Sequence, residues 1–151
     1  MTDPFQFFTP SHLHDGGSAY RAPAEAVESW QKLAEEVRRE LDRMGFPASV
    51  VPGGDPKGLP PGAHIWVNAV EPFGVTLDWD PPVTGSPEYV EKVLTQDVTS
   101  GLFSYVVNAS EIIVRALCSV LREAGFEVLI DHAGGRMYNY RVLAAPRFPK
   151  L

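Results

Sequence analysis

His64, Trp66, Asn68, Asp78 and Asp80 are the side chains best placed for chemistry in this chain. A histidine near two carboxylates can relay protons or hold a metal. The spacing puts all five on one face of a hairpin. His64, however, falls one strand position beyond the expected Trp66–Asp80 pair, and no pocket wall is implied. The group suits a different task. A tryptophan rimmed by polar groups anchors protein interfaces, because it buries a large area at small entropic cost. The five are therefore read as a partner-binding face, with no catalytic residue, cofactor or metal ligand assigned.

A second group supports the alternative reading, a small-molecule-binding protein or enzyme. Tyr105, Asn108, Glu111, Tyr138 and Tyr140 would line a pocket between the long helix and the sheet. Other clusters carry less. His12, His14 and Asp15 lack a fourth ligand and read as a solvated tail. Asp131-His132 with Gly134-Gly135-Arg136 could grip a carboxylate or phosphate, but reads first as a hairpin turn. Gly53-Gly54 with Lys57 departs from the GxxxxGK[ST] phosphate cradle. GxSxG, HExxH, CxxC and GxGxxG do not occur. Cys118 is the single cysteine, which excludes an internal disulfide. Its place in an apolar helix makes it a small core hydrophobe.

The element that must position the first group is the stretch Ala63–Asp80, AHIWVNAVEPFGVTLDWD. Its arms alternate and are rich in β-branched and aromatic residues, the pattern of half-buried strands. Glu71-Pro72-Phe73-Gly74 predicts a type I turn closed by a G1 bulge. That turn pairs Glu71 with Val75, Ala69 with Leu77, Val67 with Trp79, Val70 with Thr76, Asn68 with Asp78 and Trp66 with Asp80. Ile65, Val67, Ala69, Val75, Leu77 and Trp79 then face the core. His64, Trp66, Asn68, Thr76, Asp78 and Asp80 face water or a partner.

The remaining elements would cover the apolar face. Residues 1–22 form an arm in which Phe5, Phe7 and Phe8 dock on the body or on another copy. Residues 23–151 form a single domain. A helix over Pro23–Met44 buries Val27, Trp30, Leu33, Ala34, Val37 and Leu41 and closes at Gly45-Phe46. Ala48–Val51 is a short strand and Pro52–Gly62 a loop. Ser86-Pro87-Glu88 opens a second helix with a cap, an N1 proline and an acid. It runs to about Val98 and breaks at Thr99–Gly101. The longest helix, Leu102–Ala124, carries a broad apolar stripe that includes Ala109 and Ala116. Two strands follow, with Phe126, Val128, Ile130, Tyr138, Tyr140 and Val142 pointing inward. The order α-β-β-β-α-β-β predicts an α+β fold: a mostly antiparallel sheet of four or five strands with helices on one face.

Composition limits the function classes. Hydrophobic residues make up 44% and charged residues 21% of the chain, ordinary for a globular protein. The net charge is −6, concentrated in residues 1–80, which hold 12 acidic and 6 basic side chains against 7 of each thereafter. An acidic domain is repelled by phosphate backbones, so no nucleic acid is expected as a partner. No run of about 20 uninterrupted apolar residues predicts a membrane span. The acidic N-terminus lacks a secretory signal pattern, which makes the cytoplasm the expected location. The expected partner is a protein, a basic one by charge, with a homodimer as the other expectation.

GVTLDW (74–79) and LREAGFEV (121–128) resemble segments of small uncharacterised actinobacterial α+β proteins. Some proteins of this class are immunity-like or secretion-associated. The resemblance therefore implies a protein-binding role of the immunity, chaperone or adaptor kind. LDRMGFPASVV (41–51) also echoes LREAGFEVLI (121–130), two helix–glycine–phenylalanine–strand units that a duplication or shared capping physics would produce.

Overall fold

The computed structural model describes residues 1–7, 20–51, 57–95, 101–132 and 138–149. His12, His14, Asp15, Phe8, Gly53, Gly54 and the Gly134-Gly135-Arg136 turn lie outside these residues.

Among the described residues three α-helices and five strands are formed, the helices being α1 (Ala24–Arg43), α2 (Pro87–Leu94) and α3 (Leu102–Ala124). Five strands, β1 (Ala48–Val51), β2 (Gly62–Asn68), β3 (Gly74–Asp80), β4 (Glu127–His132) and β5 (Tyr138–Ala144), make one sheet in the order β1-β2-β3-β5-β4. Among these described strands only β1 against β2 is parallel; the other three pairings are antiparallel. The architecture is α+β, with α1 and α3 packed on one face of the sheet.

α1 forms because its apolar residues recur at helical spacing. Trp30, Leu33, Ala34, Val37 and Leu41 are all buried beneath it. Burying each large side chain is worth about 1.5–3 kcal/mol, which offsets part of the cost of ordering the segment. They meet Ile65, Val67, Val75 and Leu77 from the hairpin and Val142 from β5. From α3 come Val114, Leu117, Cys118 and Leu121. Ala109 and Ala116 do not join them: Ala116 is exposed and Ala109 half-buried. The stripe read from sequence is broader than the face that packs.

The hairpin keeps its predicted faces and loses its predicted register. Gly62 pairs with Asp80, His64 with Asp78, Trp66 with Thr76 and Asn68 with Gly74. This is a displacement of the expected pairs by an even number of residues, so every side chain stays on its face. The cause lies at the tip. β2 ends at Asn68 because the Ala69 carbonyl accepts a hydrogen bond from the Ala22 N–H, 2.7 Å away. Residues 69–73 then form a wider loop, with a cis Glu71–Pro72 bond in place of the type I turn. Phe73 swings inward and packs on Phe7 and Tyr20, with ring centroids 5.4 and 6.0 Å away. Gly74 opens β3 at φ +95°, where a Cβ would approach Pro4 to 2.9 Å.

The N-terminal segment is bound to its own chain. A 3-10 turn at Pro4–Phe7 buries Phe7 edge-on against Trp30, 5.9 Å between centroids. The Trp30 indole N–H donates to the Thr2 carbonyl at 2.9 Å.

Candidate functional site

Parity along β2 and β3 places His64, Trp66, Asn68, Asp78 and Asp80 on the sheet face opposite α1 and α3. Among the described residues no α-helix covers this face. The five residues nevertheless differ in what they can reach.

His64, expected to meet water, is buried, 4% exposed. Its Nε2 lies 3.0 Å from the Pro60 carbonyl. A carbonyl only accepts, so Nε2 carries the proton and donates it there. The Asp80 carboxylate stands 3.9 Å from the same nitrogen. The ring is therefore tied to the chain leading into β2, and its Nε2 proton is committed before any substrate arrives. Asn68 is similarly occupied: its amide donates to the Gly74 carbonyl at 3.1 Å and to the Thr76 hydroxyl at 3.0 Å. It closes the end of the hairpin ladder where the paired strands stop.

Trp66, Asp78 and Asp80 remain accessible. Trp66 is half-buried beside Val51, its partner on β1. Asp80 accepts from the Thr84 hydroxyl at 3.0 Å, which anchors it at the strand end. Asp78 is exposed as a residue, yet desolvation by the protein around its carboxyl pushes its pKa above the ordinary range. The Trp79 N–H at 2.9 Å and His64 act in the opposite direction, and Asp80 adds like-charge repulsion. The observed register sets Trp66 opposite Thr76, with Asp78 one same-face rung away and Asp80 two.

Sequence reading missed Arg141, the most buried charge on the same face, at 1% exposed. It lies opposite Thr76 on β3 and Leu129 on β4. Its Nε donates to Asp131 Oδ1 at 3.3 Å, its Nη1 donates to the Phe73 carbonyl, and its guanidinium lies 5.1 Å from the Phe5 ring centre. One side chain thereby joins β4, the hairpin tip and the N-terminal turn. Period-two alternation marked Arg141 as facing away from the core. It gave no sign that Phe5 would cover it.

The second predicted group is only partly assembled. The Tyr140 hydroxyl donates to Glu111 at 3.2 Å, and burial together with the Glu111 carboxylate raises its pKa. Arg115 reaches the same Glu111 oxygen at 3.1 Å and lies over the rings of Tyr138 and Tyr140. This cluster fastens α3 to β5. Tyr105 and Asn108 stand apart from it on exposed positions of α3. A cleft of about 240 Å³ lies between the C-terminal half of α1 and the exit of β5, lined by Arg39, Arg43, Phe126 and Pro146 among others. Another, of about 200 Å³, lies beside the end of β2, with Gln31 and Asn68 in its wall. Neither takes in the tyrosine cluster. Among the described residues no three His, Cys, Asp or Glu side chains converge as a metal would require.

Comparison with protein-family models, with curated proteins and with solved structures finds no match.

Proposed function

We propose that this is a non-enzymatic interaction protein, of the immunity, chaperone or adaptor kind. It binds a protein partner through the sheet face that the helices leave bare. The observation that carries the reading is the half-exposed Trp66 on the same face as Asp78 and Asp80. An indole supplies the buried anchor of such a contact, and carboxylates farther along the same face select a basic surface and speed the encounter. The net charge of −6 acts in the same direction. His64, Asn68 and Arg141 hold the platform through the bonds described above and are positioning residues.

The test is capture of a partner from extract of the cells that make the protein. Trp66→Ala and the pair Asp78→Lys with Asp80→Lys are each expected to weaken capture by at least tenfold, about 1.4 kcal/mol. Circular dichroism checks that each variant is folded. Capture should also weaken as salt is raised. A partner held equally well by wild type and by both folded variants would show that this face is not the surface.

A further inference from the structure

The chain carries a second bare surface, on the other side of the sheet. α2 is amphipathic, yet none of its residues is buried. Val90 and Val93 are exposed and Leu94 is 78% exposed. α2 packs beside α3, whose N-terminal half continues the pattern. There Phe103 is exposed, Tyr105 is 67% exposed and Ile112 69% exposed. In the most apolar stretch of α3, mean hydropathy 1.4, only 28% is buried. Phe103 lies about half a turn round α3 from Tyr105 and Ile112, so Tyr105 and Ile112 mark one outward side of α3, and α2 adds Val90, Val93 and Leu94 beside the helix. Grouped exposed apolar side chains of this kind mark interaction surfaces.

We infer that this surface is the contact between two copies of the chain, with α3 crossing its counterpart. Leu102, Tyr105, Ala109, Ile112 and Ala116 alternate at spacings of three and four, the seam of a helix pair. This seam points away from the stripe of Val114, Leu117 and Leu121 that meets the sheet. The alanines let two backbones approach closely, and Tyr105 and Ile112 fill the space beside them. Charge also favours a second copy. The chain as a whole is acidic, but residues 102–110 carry no charge at all. Self-pairing there incurs no direct like-charge contact, whereas a basic partner would find nothing to pair with. The Pro4–Phe7 turn is not available for this role, since Phe5 and Phe7 are packed on their own chain. This inference does not depend on the sheet-face reading: a dimer through α3 leaves Trp66 of both copies facing outward.

Sedimentation equilibrium of the full chain, from about 1 to 100 µM, reads the outcome directly. The expected mass is twice 16.6 kDa at the upper end. Tyr105→Lys with Ile112→Lys should return the protein to a monomer, or weaken association at least about tenfold, with its circular dichroism unchanged. Should the double variant fail to fold, Ile112→Cys provides a separate readout. Mild oxidation should give a covalent dimer, while Glu35→Cys on α1 should give none; Cys118 is buried and does not interfere. A wild type of 16.6 kDa throughout, with no cross-link formed by the Ile112→Cys variant, overturns the inference. Such a monomer binding phosphatidylcholine vesicles through α3 would overturn it in favour of a lipid surface.

Discussion

α1 and α3 end alike and face solvent differently. In α1 the Phe46 N–H returns to the Leu41 carbonyl at 2.9 Å and Gly45 N–H to Asp42 at 3.0 Å. In α3 the Phe126 N–H returns to Leu121 and Gly125 N–H to Arg122, both at 3.0 Å. Both glycines take positive φ, +92° and +102°, as this helix stop requires. Beyond the stop the two units diverge. β1 runs parallel to its neighbour and β4 antiparallel, and they lie at opposite edges of the sheet. The outer side of α1 carries Arg38 bonded to Glu35 and Asp42, and Arg43 bonded to Glu40. The outer side of α3 carries Tyr105, Ala109, Ile112 and Ala116. Capping is thus decided within about six residues, independently of what a helix faces or what its next strand pairs with.

The sharpest test of this contrast compares the two sides of α3 itself. Burial pushes the Cys118 thiol up to about 11. At pH 8 it should react with a disulfide reagent at least about a hundredfold more slowly than a cysteine placed by Ala116→Cys under monomeric conditions, because reaction requires local opening. Comparable rates would mean that α3 does not hold its inner face closed.

Stability should show the same asymmetry. Leu121→Ala removes a fully buried side chain and should cost about 3 kcal/mol in urea unfolding. Ile112→Ala on the outer side should cost no more than about 0.5 kcal/mol in the dissociated monomer. A large loss from Ile112→Ala at low protein concentration would place that side chain inside the subunit.

The matched glycines should then separate. Gly45→Ala meets open space and carries only the left-handed backbone penalty, about 1 kcal/mol. Gly125→Ala carries that penalty and also brings its Cβ to 3.0 Å from Pro146, for a total of about 2 kcal/mol. Equal losses would show that the Pro146 segment yields freely.

The smallest effect belongs to the outer side of α1. Arg38→Ala should shift the urea midpoint least of all these variants, and the shift should shrink in high salt, because its partners are solvent-exposed. A salt-independent loss would point to packing of its aliphatic stem instead.

Much of the fold was legible because it rests on short-range rules. The Ser86 cap, whose hydroxyl accepts from the Tyr89 N–H at 3.2 Å, and both glycine stops follow from neighbouring residues. The two faces of the hairpin follow from parity, which survives an even error in register. The register itself was not legible. It depends on Phe7 and Tyr20 receiving Phe73, and on Ala22 taking the Ala69 carbonyl, contacts between segments far apart in the chain. The site divides in the same way. Alternation grouped Trp66, Asp78 and Asp80, but gave no warning that Pro60 would hold His64.

By itself, the sequence determined where α1 and α3 lie, the glycine stops that close them and which side of the hairpin strands is apolar, since these depend on backbone preferences and on spacing; α2, expected to run to about Val98, instead ends at Leu94. The tertiary structure alone decided that Arg141 is covered, that the hairpin opens into a wider loop, and that one side of α3 and nearly all of α2 stay bare. Burial belongs to surfaces brought together from distant parts of the chain, and an apolar stripe looks the same in sequence whether or not something lies against it.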